Sequence, residues 1–87
     1  MKNADWASVL ASLENGDWQA AHEIVQKHED DALACWAHGI VHRMEGDEAN
    51  ARYWYRLAER AYSAKKTIPE EIEALSAAAG NRSRGAT

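Results

Sequence analysis

Residues that favour turns and disulfides are scarce in this sequence of 87 residues, and long apolar runs are absent from it. One proline and five glycines are too few for a turn-rich β fold and favour helices. The single cysteine, Cys35, cannot form a disulfide within the chain, which fits a reducing compartment. No apolar stretch approaches the roughly 20 residues of a membrane span. No apolar signal segment follows Met1, so we expect a cytoplasmic protein without a membrane partner.

Charge and motif content exclude further classes. The formal net charge is -4, and the basic residues are scattered along the chain. Phosphate binding needs a clustered basic surface, so we do not expect a nucleic-acid partner. The sequence also has no glycine-rich phosphate loop, no nucleophile elbow and no paired carboxylates in a known motif. We therefore expect neither an enzyme nor a bound cofactor.

Two Gly-Asp pairs, at positions 16–17 and 46–47, interrupt a helical pattern. Glycine suits the left-handed position after a helix, and an aspartate carboxylate accepts the free amides of the next helix. Around these pairs, apolar residues recur every three or four positions, which is the period of a helix face. The pattern predicts an all-α fold of two tandem antiparallel helical hairpins followed by a C-terminal capping helix.

Local signals predict the bounds of the helices. Asn3 can cap the first helix, because an asparagine side chain accepts a free amide there. The third helix is expected over residues 32–45 and the fourth over residues 48–64. In the fifth helix, Thr67 and Glu70 have the spacing of a capping box.

The end of the chain has a different composition. Gly80 is expected to end the fifth helix, and the residues after it are small and polar. Short polar termini are usually poorly ordered. We therefore expect a single helical domain over residues 1–80 and a disordered tail over residues 81–87.

The second hairpin resembles a tetratricopeptide repeat over residues 32–61. The residues that carry the resemblance are small or aromatic and stand at the signature places of the repeat: Gly39, Gly46-Asp47, Ala51, Tyr55 and Ala58. The resemblance implies two antiparallel helices in close contact and a protein-interaction module. The stretch 36–56 is also similar to a segment of small uncharacterised bacterial proteins, which implies kinship but no particular activity.

The third helix has two contrasting faces. Its periodicity places four large apolar residues on one side: Leu33, Trp36, Ile40 and Met44. This stripe needs a cover in water, since burying each side chain is worth roughly 1.5–3 kcal/mol. We expect the fifth helix to fold over the stripe through Ile72 and Leu75, on the same chain or on a neighbouring copy. A partner peptide is the alternative cover.

The opposite face carries Cys35, His38 and His42, which are three and four residues apart. Thiolate and imidazole are good zinc ligands, and either His22 or Glu45 could supply a fourth. The favoured interpretation is nevertheless that these are ordinary helix residues, packed within the hairpin or solvated. Structural zinc sites usually take ligands from a turn and from paired cysteines, so we predict no metal site.

The fourth helix carries a basic stripe, with Arg52, Arg56 and Arg60 at intervals of four residues. A solvated face with local ion pairs is the favoured interpretation of these arginines. Tyr53 is expected to be exposed beside Arg56, where an aromatic side chain could anchor a partner. The candidate binding residues are therefore Trp36, His38, His42, Arg43, Tyr53 and Arg56.

Two functional hypotheses from different classes remain. The first is a protein-interaction or scaffold module whose helical groove takes a protein or peptide, or a second copy of the chain in a homodimer. The alternative is a small metal- or ligand-binding protein that uses the Cys/His cluster on the third helix. Elemental analysis together with the mass in solution would distinguish the two.

Overall fold

The computed structural model describes residues 1–85, with side chains described through Gly80. It contains five helices: α1 (Asn3–Glu14), α2 (Trp18–Val25), α3 (Ala32–Glu45), α4 (Glu48–Leu57) and α5 (Ile68–Gly85). No strand occurs between residues 1 and 85, which confirms the predicted all-α fold. None of these described helices has the length and apolar character needed to cross a membrane.

The central helix of the fold is α3. It packs against α2, α4 and α5, while α1 packs against α2 and α5. Because neighbours surround it, eight consecutive residues of α3 are buried, from Ala34 to Val41. The pairing of α1 with α2 and of α3 with α4 is compatible with the two predicted hairpins, and α5 completes the bundle.

The two Gly-Asp pairs each end one helix and begin the next, as predicted. Gly16 and Gly46 have left-handed backbones, with φ of 78° and 88°. The backbone N–H of the following aspartate donates into the preceding helix, at 2.8 Å for Asp17 and 2.9 Å for Asp47. Both carboxylates then accept an amide from the first turn of the next helix at 3.2 Å, as N-caps do.

The fourth helix is shorter than the sequence predicts, because α4 ends at Leu57 rather than at Ala64. Glu59 has a left-handed backbone with φ of 58°. The Arg60 N–H then donates to the carbonyl oxygen of Tyr55 at 2.9 Å. This hydrogen bond closes a Schellman motif, here with glutamate at the position where glycine is usual. The chain beyond it forms a connection to α5 instead of further helix.

Two other predicted helix ends differ from the structure. Asn3 is the first residue of α1 and not its cap; the cap is Lys2, whose N–H donates to the Asp5 carboxylate at 3.2 Å. Gly80 does not end α5, which continues to Gly85. A glycine inside a helix costs only about 1 kcal/mol relative to alanine, so it weakens a helix without necessarily ending it.

The start of α5 is as predicted. The Thr67 N–H donates to Oε1 of Glu70 at 3.0 Å, and the Glu70 N–H donates to Oγ1 of Thr67 at 3.2 Å. These reciprocal bonds are the expected capping box. The expected disordered tail extends into residues 86 and 87, which lie outside the described residues.

The apolar stripe of α3 is covered by α5 of the same chain. Trp36 and Ile40 belong to the buried core together with Ile72 and Leu75. The predicted fold-back of the fifth helix is therefore confirmed, and it needs no second copy. The consequence for function is that Trp36 and Ile40 of the stripe are buried and do not form an open groove for a partner.

Candidate functional site

Three histidines from two helices come together on the side of α3 that packs against α2. His38 and His42 are one helical turn apart on α3, and His22 reaches them from α2. The ring centroids lie 4.8 Å apart for His22 and His38, 5.6 Å for His22 and His42, and 5.0 Å for His38 and His42. One ring nitrogen from each residue lies within 4.8 Å of the others. We call these three residues the histidine cluster.

His38 is the buried member of the cluster. Its exposed fraction is 4%, and its Nδ1 is buried without a hydrogen-bond partner. A buried polar atom without a partner costs about 1–3 kcal/mol, so its presence calls for an explanation. The indole of Trp54 stacks on the imidazole, with ring centroids 3.7 Å apart. The outer two histidines, His22 and His42, are half-buried.

Electrostatics keep His38 neutral. Burial, followed by the neighbouring His22 and His42, lowers its pKa to about 3. A second proton on the ring would be an unsolvated charge beside two further imidazoles. At neutral pH the ring therefore retains one nitrogen lone pair, which is the form that accepts a hydrogen bond or binds a metal.

A carboxylate orients the outer histidine of α3. Nδ1 of His42 lies 2.7 Å from Oε1 of Glu45, one turn further along the helix. When Nδ1 carries the proton, the imidazole donates to this carboxylate and keeps the Nε2 lone pair for another ligand. Histidines that bind metals commonly have such a carboxylate partner.

The structure separates Cys35 from the histidines with which it was grouped. Its buried thiol donates to the carbonyl oxygen of Glu29, with Sγ 3.2 Å from that oxygen, in the turn before α3. Burial, and then the carboxylates of Asp31, Glu29 and Asp30, raise the pKa of this thiol. Cys35 is thus a protonated core residue, and the Cys/His set on one helix is replaced by three histidines on two helices.

Two of the six candidate binding residues lie elsewhere. Trp36 is buried and donates from Nε1 to Oε1 of Glu71 on α5 at 3.3 Å, so its ring is not available to a partner. Arg43 donates to the carbonyl oxygen of Lys66 at 2.6 Å, which ties α3 to the connection before α5. Both side chains therefore act within the fold.

The remaining candidates lie on α4 or in the cluster itself. Tyr53 is 47% exposed, as predicted, and its ring meets Trp54 edge-on at 5.2 Å between centroids. Trp54 in turn stacks on His38, so these aromatic rings lead from the surface to the cluster. Arg56 is exposed on α4. The structure thus joins His38 and His42 directly and connects Tyr53 to them through one intervening ring.

Sequence reasoning missed a buried carboxylate on α5. Glu71 is 5% exposed, and its Oε1 accepts from the hydroxyl of Tyr55 at 2.6 Å and from Trp36. Burial and this hydrogen bond raise the pKa of Tyr55. No signal in the sequence distinguishes Glu71 from its acidic neighbour Glu70, which only caps the helix. Glu71 joins three helices and is a structural residue.

No protein-family model matches the chain, and neither the curated proteins nor the solved structures give a match. The resemblances to a tetratricopeptide repeat and to small bacterial proteins therefore stay predictions. The case for function rests on how the side chains are arranged.

Proposed function

We propose that the protein binds a divalent transition-metal ion of the zinc type through His22, His38 and His42. The observation that carries this proposal is that three imidazoles bring one nitrogen each to within 4.8 Å of the others, and that the central ring also has a buried nitrogen without a hydrogen-bond partner. Imidazole nitrogen suits zinc, copper and nickel, and zinc accepts three histidine ligands without a geometric penalty.

The distances are within reach of coordination. Zinc–nitrogen bonds of about 2.0–2.1 Å at tetrahedral angles place ligand nitrogens roughly 3.3 Å apart. The cluster nitrogens lie within 4.8 Å of one another, so the rings need small rotations to close on an ion. His22 and His42 are half-buried, whereas the ring of His38 is buried and stacked on Trp54.

A carboxylate that is not itself a ligand would also support the metal site. Glu45 already contacts Nδ1 of His42, which orients this ring and leaves Nε2 as the ligand atom. Outer-shell carboxylates of this kind typically change metal affinity 10- to 100-fold. This support favours a metal site over three histidines that meet by packing alone.

The test is zinc binding by calorimetry and elemental analysis after the purified chain has been stripped with a chelator. We expect about one zinc ion per chain. His22→Gln and His42→Gln should weaken binding by more than about tenfold, since each removes a ligand and not merely its orienting partner. His28→Gln is the matched control, because this histidine lies outside the cluster. Less than about a tenth of an equivalent of zinc, or unchanged affinity in both cluster variants, would contradict the proposal.

The interaction module remains a second candidate because of a groove between the end of α1 and α5. Its volume is about 610 Å³, and its lining includes Leu13, Ile68 and Ile72 together with the exposed carboxylates of Glu14 and Glu73. Since α5 covers the stripe on α3, this groove is an open apolar surface that supports docking of a partner. Its charge favours an apolar segment flanked by lysine or arginine.

This second candidate has a separate test. The probe is a labelled peptide with an apolar leucine segment flanked by lysines. It should bind the wild-type chain in a fluorescence anisotropy titration. Binding should weaken in the Glu14→Lys, Glu73→Lys double variant and persist in Glu48→Lys, whose carboxylate is outside the groove. Equal binding by both variants, or none by the wild type, would count against the groove.

A further inference from the structure

We infer that a metal ion in the histidine cluster keeps one coordination position open to solvent, and that this position takes water or a small anion. The inference rests on the metal site proposed above and adds what that site would bind. Closed four-ligand sites are structural, whereas three-ligand sites exchange their fourth ligand. The number of protein ligands near the cluster is therefore the deciding observation.

Within the part of the chain that the structure describes, the cluster offers three protein ligands and no fourth. Among the described residues, no cysteine, aspartate or glutamate side chain joins His22, His38 and His42. Residues 81–87 contain none of these residue types and no histidine. Glu45 groups with His42 and Asp47 instead, and its Oε1 is occupied at Nδ1 of His42.

Burial places the open position on the solvent side. His38, at 4% exposure, is the floor of the cluster, and Trp54 covers it from the side of α4. His22 and His42 are half-buried and form the outer pair. An ion that binds all three rings has its fourth tetrahedral direction pointing away from the buried floor. Because His22 and His42 are only half-buried, this is also the side of the cluster that reaches solvent.

Charge selects the class of exogenous ligand. Three neutral imidazole ligands leave the ion with its double positive charge, so an anion in the fourth position gains more than a neutral molecule of the same size. Without an added anion, the ligand is water, whose pKa falls to about 7 on zinc in comparable three-histidine sites. A small anion such as azide then replaces this water by simple ligand exchange.

The experiment uses the full chain loaded with cobalt(II), whose visible absorption reports its coordination. Sodium azide is then titrated into the cobalt protein. We expect a saturable change in the absorption spectrum at constant cobalt content. A spectrum that azide leaves unchanged, in protein that holds about one cobalt per chain, would overturn the open position but leave the metal site standing. Failure to bind cobalt or zinc would overturn both.

One variant tests the main competitor, Glu45, as a fourth ligand. If Glu45 rotated from His42 onto the ion, Glu45→Gln would respond to azide and the wild type would not. We expect both to respond, with weaker metal binding in the variant because His42 loses its orienting carboxylate. Glu48→Gln is the control, since Glu48 pairs with Arg52 on the exposed face of α4 and should match the wild type in both measurements.

Discussion

The indole of Trp54 lies nearly parallel to the imidazole of His38, with the ring centroids 3.7 Å apart and 9° between the planes. Trp54 is itself only 8% exposed, so the stack shields one face of His38 from water. His22 and His42 approach the same ring within 5.0 Å between centroids. The burial and the two neighbouring histidines together lower the pKa of His38 to about 3.

This pKa predicts that acid destabilises the metal-free protein. Histidine in an unfolded chain has a pKa of about 6.5, whereas the folded value for His38 is about 3. Between these values the unfolded chain binds a proton that the folded chain excludes. Stability is therefore full above about pH 6.5 and falls as the pH is lowered, by at most about 1.4 kcal/mol per pH unit for this one proton.

Urea denaturation between pH 7 and pH 5 measures the effect, in chelator-treated protein. The relevant quantity is the slope of the unfolding free energy against pH, because a variant can also lower stability at every pH. His38→Gln should reduce this slope, and His28→Gln should not. Equal slopes for the two variants would mean that His38 takes up its proton in the folded state as readily as in the unfolded one.

Local signals were enough to predict the starts of α2, α4 and α5 and the ends of α1 and α3. Asp17 and Asp47 cap helices because their carboxylates accept nearby amides, and Gly16 and Gly46 occur where the backbone must be left-handed. Such features depend on neighbouring residues only. The end of α4 could not be predicted in this way, because Glu59 occupies the left-handed position without any feature that marks it.

The histidine cluster could be predicted only in part, because it depends on contacts between helices. Helical periodicity placed His38 and His42 on one face but could not tell which helix that face meets. Cys35 is close to that face in sequence, yet its thiol points to the turn at Glu29. His22, which the sequence offered as a possible fourth ligand beside Glu45, is the third member because α2 packs on α3, which is a long-range contact. Packing between helices, and not the pattern within one, decided the composition of the cluster.

Glu59 at the end of α4 predicts a stabilising substitution. A left-handed backbone costs an L-residue roughly 1–2 kcal/mol, and glycine avoids that cost at an entropic penalty of about 0.5–1 kcal/mol. Glu59→Gly should therefore raise the unfolding free energy by up to about 1 kcal/mol, while the β-branched Glu59→Val should lower it. Thermal melts followed by circular dichroism measure both. A lower melting temperature for Glu59→Gly would show that the glutamate side chain makes a stabilising contact.

Gly39 is expected to tolerate no side chain. A Cβ at this position would come within 2.7 Å of Cε1 of Tyr55 and 3.3 Å of the carbonyl oxygen of Ala51. Gly39→Ala should therefore cost about 1–3 kcal/mol through overpacking, although alanine is the better helix former, and Gly39→Leu should cost more. The matched control is Gly80→Ala on α5, where a Cβ would meet nothing within 4 Å.

The control also tests the length of α5. Since α5 continues past Gly80, Gly80→Ala should raise the melting temperature, with a gain of up to about 1 kcal/mol from helix propensity. Opposite signs for the two glycine variants are the expected result. If Gly39→Ala were as stable as the wild type, α3 and α4 would lie further apart than the structure places them.

The buried carboxylate of Glu71 predicts strong coupling between α4 and α5. Its Oε1 accepts the Tyr55 hydroxyl at 2.6 Å and the Trp36 indole N–H at 3.3 Å. Tyr55→Phe keeps the ring that packs against Gly39 and removes only the hydroxyl. Because a buried acceptor then loses its shorter hydrogen bond, the variant should lose about 1–3 kcal/mol of unfolding free energy.

A double-mutant cycle separates this contact from general damage to the core. Glu71→Gln retains an oxygen that can accept from Tyr55 but no longer carries the charge that strengthens the bond. In the Tyr55→Phe background, Glu71→Gln should lower the unfolding free energy by less than it does in the wild type, because the hydrogen bond that it weakens is already absent. We expect a coupling energy of about 1 kcal/mol. Tyr53→Phe, on the exposed ring of α4, should leave stability unchanged. Additive effects of the two core substitutions would mean that the hydrogen bond between Tyr55 and Glu71 does not contribute to stability.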